Sequence, residues 1–324
     1  MEMIFYGNEL VQQTLRRMIQ RNRTAHGFLF YGDPGLGKKT LARRTAAALL
    51  CSGAEKPCGV CKSCRMFQDG VHPDVICAET SGKLGGFSAD TVRQICTDLA
   101  TPPNEGDAKC CFFFDCDKMD PRSQNLLLKA IEEPQDYAYF FFTAQSPAAL
   151  LPTVRSRIIA LPLGPVSEEQ CRSALEAEGF APQEIQEAIG VFHGNIGRCK
   201  DFLQQEPIRT VAALTKSAIN SIISRNEYTF LQAAAVLGKQ REQALLFLTL
   251  FDRTIRDAMA RKYDASAACI GCDAEGAARL SERLSAAGGQ AMHLAVDKAY
   301  AAIQANVNLP LALSALCASC MDAC

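Results

Sequence analysis

The chain has 324 residues, 48% of them apolar and 21% charged, with a net charge of −1. That length supports two or three domains with a sizeable core. The balanced charge excludes a strongly basic nucleic-acid protein, so any DNA contact must be local or shared with other chains.

No apolar run approaches the ~18–20 residues that span a bilayer. The start, Met1-Glu2-Met3-Ile4-Phe5, lacks the basic and apolar regions of a signal peptide. The reading is a cytoplasmic protein with no membrane partner. Sixteen cysteines in a reducing compartment then point to metal ligands or buried thiols, not a disulfide framework.

In chain order, the first half alternates apolar runs with amphipathic stretches, the pattern of a parallel sheet wound with helices. Strands are predicted at 27–31, 75–79, 110–115, 139–144 and 158–162. Helices fit between them at 38–50, 89–99, 121–133 and 147–154. The runs Phe112-Phe113-Phe114 and Phe140-Phe141-Phe142 are apolar on successive residues, as strands covered on both faces should be. After Leu163 the character changes. Ser167 reads as a helix N-cap with Gln170 three residues on. From there Ala- and Leu-rich amphipathic segments such as 242–259 and 291–305 dominate, and no strand is expected.

The segment Gly32-Asp33-Pro34-Gly35-Leu36-Gly37-Lys38 follows a predicted strand and opens a predicted helix. In that context Gly32, Gly35, Gly37 and Lys38 read as a phosphate-cradling P-loop, the glycines exposing backbone N–H groups. A chance glycine turn is the weaker alternative. The motif calls for Ser or Thr directly after the lysine to hold Mg²⁺. Here Lys39 stands there and Thr40 comes one position late, turned by about 100° on the helix. The second half of such a site needs an acid, often a pair, at a later strand end. Asp115 is the single candidate, with Asp117 open to a capping or turn role. ATP hydrolysis is therefore expected to be lost, and ATP or ADP to bind weakly at best through Gly32, Gly35, Gly37, Lys38 and Thr40.

Cys51, Cys58, Cys61 and Cys64 supply two consecutive C-x₂-C steps and a fourth thiol at the end of the P-loop helix. Four thiolates suit a closed, tetrahedral, structural Zn²⁺ site. Two more C-x₂-C pairs, Cys269/Cys272 and Cys317/Cys320, read as buried or surface thiols and not as a second zinc site.

These features resemble bacterial clamp-loader AAA+ subunits. The resemblance is carried by 26–32, the P-loop, the four cysteines, His72-Pro73-Asp74, the Leu-Leu-Lys…Glu-Glu-Pro segment at 125–134 and the Ser156-Arg157 pair. It is strong over 4–165, then weaker through Gly194–Gly197 and 306–309. It implies a P-loop (AAA+) α/β domain at 1–163 with a zinc insertion at about 51–64, a helical lid domain at 164–205 and an all-α collar domain at 206–324.

The family includes an ATP-hydrolysing motor (gamma/tau) and a delta-prime type whose nucleotide site is often decayed. The resemblance puts the Walker B acids on Phe114 and Asp115, the sensor-1 position near Ala144 or Gln145, and sensor-2 on Gly197, with Arg198 one residue late. These departures side with the delta-prime type; a competent gamma/tau-type ATPase is the alternative. Arg157 matches the family's arginine finger, acting in trans; the residue after it, usually cysteine, is Ile158 here. The implied partners are the motor and delta subunits, with the sliding clamp and primed DNA reached through the complex.

Overall fold

The computed structural model describes residues 5–21, 23–80 and 86–324. Residues 1–4, read above for a signal peptide, lie outside them. Two compact units divide the chain, Met1–Val166 and Ser167–Cys324.

In the first unit the elements are α1 (Glu9–Gln20), β1 (Gly27–Tyr31), α2 (Lys38–Leu50), α3 (Lys62–Gln68), β2 (Val75–Cys77), α4 (Ala89–Leu99), β3 (Lys109–Phe113), α5 (Pro121–Glu132), β4 (Ala138–Ala144), α6 (Pro152–Arg155) and β5 (Ile159–Pro162). The strands form one parallel sheet in the order β2-β3-β4-β1-β5. Chain connections leave β1 toward one edge and β4 toward the other. The carboxyl ends of these central strands therefore open a crevice of the kind that binds ligands.

Phenylalanine fills the sheet on both faces. Phe28, Phe30, Phe112 and Phe141 pack under Leu15 of α1 and Leu41, Ala42 and Ala46 of α2. Phe113, Phe140 and Phe142 pack on the opposite face with Val92 and Ile95 of α4 and Leu127 and Ile131 of α5. Neighbouring rings stack, Phe112 on Phe141 at 5.2 Å and Phe113 on Phe142 at 5.3 Å, adding to the burial itself. Cys110, Cys111 and Cys116 are fully buried among them.

Three predicted elements differ from those observed. The strand expected at 110–115 ends at Phe113, because Asp115 takes a left-handed conformation with φ 58° and starts a turn. The strand expected at 75–79 stops at Cys77. The helix expected at 147–154 is broken into a 3₁₀ turn at Pro147–Ala149 and α6. Pro152 explains the break, since a residue before proline avoids helical ψ and Leu151 has ψ 146°. Two helices, α1 and α3, were not predicted.

The second unit is helical throughout among the described residues: α7 (Glu168–Glu176), α8 (Pro182–Phe192), α9 (Ile196–Gln204), α10 (Glu206–Ser224), α11 (Glu227–Leu237), α12 (Arg241–Tyr263), α13 (Ala274–Arg283), α14 (Ala286–Gln304) and α15 (Leu309–Ala323). Helix α7 starts with the expected box: Ser167 accepts from the Gln170 N–H while the Gln170 side chain accepts from the Ser167 N–H. Phe230, Phe247 and Phe251 form the aromatic heart of α11 and α12. Helices α12 and α14 are also tied at the surface, where His293 Nδ1 lies 2.6 Å from Asp252 Oδ1. Among the described residues no helix is long and apolar enough to cross a membrane.

Candidate functional site

The loop between β1 and α2 has the backbone a phosphate cradle needs. Gly35 and Gly37 take φ of 91° and 80°, and Gly37 caps α2, whose N-terminal field favours an anion. A side chain at Gly37 would also collide with Phe5, 2.8 Å from a Cβ placed there. Lys38 lies over the loop, its Nζ donating to the carbonyls of Gly32 at 2.6 Å and Asp33 at 2.8 Å. Burial lowers its pKa, and the charges of Asp115, Asp117 and Asp33 partly oppose that shift.

Lys39 makes a different contact. Its Nζ donates to Asp115 Oδ2 at 2.6 Å and lies 5.5 Å from the centre of the Phe114 ring. Arg43 approaches the same ring at 5.6 Å. Asp115 is held by its own N–H on Thr143 Oγ1 at 2.9 Å. Asp117 accepts from the Gln145 N–H at 2.9 and 3.0 Å, so it ties two loops together and caps no helix. The helix cap is Asp120, which opens α5. Thr40 is exposed.

Mg²⁺ wants six oxygens at 2.0–2.1 Å in octahedral order. The position after Lys38 supplies an ammonium in place of a hydroxyl, and that ammonium sits on the one carboxylate at the strand end. Both partners are 52% exposed, so the pair adds at most about 1 kcal/mol to stability. Its importance is chemical: it sets a cation on the acid a metal would need.

The four cysteines converge. Their sulfurs lie within 4.8 Å of one another, with Cys58–Cys64 at 4.0 Å and Cys51–Cys61 at 3.9 Å. A tetrahedral ion with Zn–S bonds of ~2.3 Å needs sulfur edges of about 3.8 Å, so the set fits a metal ion. Backbone N–H groups point at the sulfurs: Gly53 and Cys58 donate to Cys51 at 3.3 Å, Cys61 to Cys58 and Cys64 to Cys61 at 3.4 Å. Burial works against the Cys61 thiolate, but the N–H groups of Cys64 and Ser52 prevail and bring its pKa down to about 6. Burial pushes Cys64 up to about 12. Gly53 is required by close approach, because a Cβ there would lie 2.9 Å from Cys58 Sγ. The ion held here would cross-link the end of α2 to the start of α3, with no open position for chemistry.

The other paired cysteines form no such cluster among the described residues. Cys272, Cys317 and Cys320 are buried, and burial raises all three thiols, Cys320 to about 12.

Arg157 stands at the start of β5, part-exposed. Its guanidinium donates to Thr153 O at 2.8 Å and Ser156 Oγ at 3.0 Å, and pairs with Glu132 Oε1 at 2.8 Å. Glu132 was visible in the Glu-Glu-Pro segment, but its pairing partner lies 25 residues on and no local pattern announces it. Arg198, beside the sensor-2 position, donates its N–H to Asn195 Oδ1 and lies 3.7 Å from Asp201.

Residues 7–167 match the family described as "DNA polymerase III, delta subunit". The chain is 29% identical over 211 residues to the DNA polymerase III delta' subunit of Pseudomonas aeruginosa, covering 63% of each chain. It is 28% identical over 250 residues to that of Escherichia coli, covering 76% of this chain and 73% of the relative. Together these similarities support a delta-prime identity for the chain. The matched stretch spans 63% of the Pseudomonas relative's own length. The tau subunit of E. coli is also similar, 30% identical over 172 residues, which is 52% of this chain but 26% of that one. The P-loop, the four cysteines and Arg157 all fall inside the matched region.

Proposed function

We propose that the chain is a clamp-loader subunit that hydrolyses no ATP itself and lends Arg157 to the nucleotide site of a neighbouring motor subunit (gamma/tau). The observation that carries this reading is the Lys39–Asp115 contact at 2.6 Å, beside Phe114 in the acid's place. With the metal position taken by an ammonium, the chain's own P-loop binds ATP or ADP weakly through Gly32, Gly35, Gly37 and Lys38, without productive Mg²⁺. Its first unit is read as an AAA+ domain, 164–205 as the lid and 206–324 as the collar that joins motor and delta subunits. Cys51, Cys58, Cys61 and Cys64 hold a structural Zn²⁺. Through the complex the subunit helps place the sliding clamp on primed DNA.

Arg157 suits the finger role on chemical grounds. A guanidinium presents a planar fork of donors to phosphoryl oxygens, and one supplied in trans accelerates phosphoryl transfer by roughly 10³–10⁵ in comparable systems. Its contacts with Thr153 and Ser156 fix the direction of the side chain, and Glu132 keeps it from swinging freely.

The test reconstitutes the complex with Arg157→Ala. Assembly should be unchanged, while DNA-stimulated ATPase and clamp loading fall by at least about tenfold. Unchanged loading would sink the finger assignment. The similarity to tau supports a second reading, a competent ATPase. That reading requires magnesium-dependent turnover by the isolated chain, lost in Lys38→Ala; we expect none.

A further inference from the structure

We propose that Cys171 and Cys199, which face each other between α7 and α9, form an oxidisable dithiol that a peroxide-class oxidant converts to a disulfide. The inference does not depend on the proposed function, because neither thiol belongs to the P-loop, the four-cysteine loop or the Arg157 contact.

The two sulfurs lie 3.8 Å apart although 28 residues separate them in sequence, and both side chains are fully buried. A cysteine buried alone is inert; here a second sulfur faces it. A disulfide needs ~2.05 Å between sulfurs, so the pair must close by roughly 1.8 Å, a distance that rotation about the two Cα–Cβ bonds can supply.

The two residues hold equivalent places. Cys171 is the fourth residue of α7 and Cys199 the fourth of α9. Their N–H groups close the first turns on Ser167 O and Asn195 O, each at 2.9 Å. Helix starts favour a thiolate, and helix ends open at lower free energy than helix centres. A small oxidant therefore gains entry there without unfolding of the chain.

The pair also divides the roles. Between neutral thiols, Cys171 donates to Cys199, and Cys199 donates to the carbonyls of Ala188 and His193 at 3.5 Å. As a thiolate Cys171 accepts from Cys199 instead, and that bond lowers its pKa although burial opposes the shift. The same bond, together with burial, raises the pKa of Cys199. Cys171 is thus the attacking sulfur. Its thiolate forms an S–O bond as the peroxide O–O bond breaks, giving a sulfenic acid and a hydroxide that takes up the proton Cys171 released. The Cys199 sulfur then forms the S–S bond as the S–O bond breaks, and its proton leaves with the departing hydroxide as water. Two thiols and one peroxide become one disulfide and two waters, and an added thiol reverses the bond. The disulfide ties the start of α7 to the start of α9 and withdraws the S–H that the Ala188 and His193 carbonyls accept from.

The experiment titrates the full chain, loaded with zinc at its four-cysteine site, with hydrogen peroxide and quenches it with an alkylating agent. Peptide mapping without reductant should find the segments carrying Cys171 and Cys199 joined, with the loss of two hydrogens, before zinc is released. Dithiothreitol should part them. Amide hydrogen exchange in α7–α9 should slow by at least about tenfold in the oxidised chain. Cys199→Ala should instead trap the sulfenic acid on Cys171, read by dimedone labelling, and Cys171→Ala should leave Cys199 unlabelled. Release of zinc while Cys171 and Cys199 stay unjoined would overturn the proposal. It fails equally if the disulfide leaves exchange in α7–α9 unchanged, or if dimedone labels Cys199 in the one variant as fully as Cys171 in the other.

Discussion

Lys38 and Lys39 are adjacent in sequence and have opposite surroundings. Lys38 is 8% exposed and spends its ammonium on the carbonyls of its own loop. Lys39 is half exposed and reaches a carboxylate 76 residues away. The sequence displays the missing hydroxyl after Lys38, but nothing local announces that the replacement side chain would find Asp115. Lys39→Thr restores the hydroxyl and frees the acid. We expect it to change stability by less than about 1 kcal/mol, as for any exposed ion pair. It should strengthen magnesium–ADP binding measured by calorimetry, and on the proposed reading of Phe114 in the acid's place ATP turnover should stay absent. No gain in magnesium dependence would mean that Lys39 is a bystander.

At the scale of elements, the four-cysteine loop was fully legible, since the spacing alone brings the sulfurs into one turn and the structure places them within 4.8 Å. Cys61→Ser should leave less than one zinc per chain and lower the melting temperature, while the circular dichroism of the sheet persists. An unchanged melting temperature would show that the loop folds without metal. The phenylalanine strands were equally plain, because doubly covered strands need unbroken apolar runs. Their ends were not: hydropathy carries no information on the φ of 58° at Asp115. Helix α1 was missed although Val11 and Leu15 stand one helical turn apart and both are buried. A second element-scale prediction concerns α12 and α14. The hydrogen bond and charge of Asp252 raise the His293 pKa above its ordinary 6.5, with Asp297 contributing from 3.8 Å. A raised folded pKa gives stability that is complete below 6.5 and lost as pH rises through the raised value. His293→Asn should therefore destabilise at pH 6, by less than about 1 kcal/mol given the exposure of the pair, and be neutral at pH 9. Equal urea midpoints for both proteins at pH 6 would remove this contact from the account.

For the whole molecule, the change from a wound sheet to continuous helix after Leu163 was legible because the hydrophobic period changes there. The observed units meet at Val166 and Ser167. What composition concealed is the uneven charge: a net −1 hides an N-terminal region dense in arginine and lysine. Sequence order likewise hid which face of the first unit that region would occupy, since α1 and the cysteine loop are brought together only by packing along α2. The Arg157 experiment belongs to this scale, because its readout exists only in the assembled complex. The Lys39–Asp115 contact has a consequence at this scale too. A magnesium ion comes and goes with its concentration and with the nucleotide that carries it. An ammonium attached to the backbone by four methylene groups stays within reach of the acid whichever nucleotide is present, although salt screens the pair. The charge at this strand end is thus balanced by a counter-ion that belongs to the chain itself and cannot diffuse away.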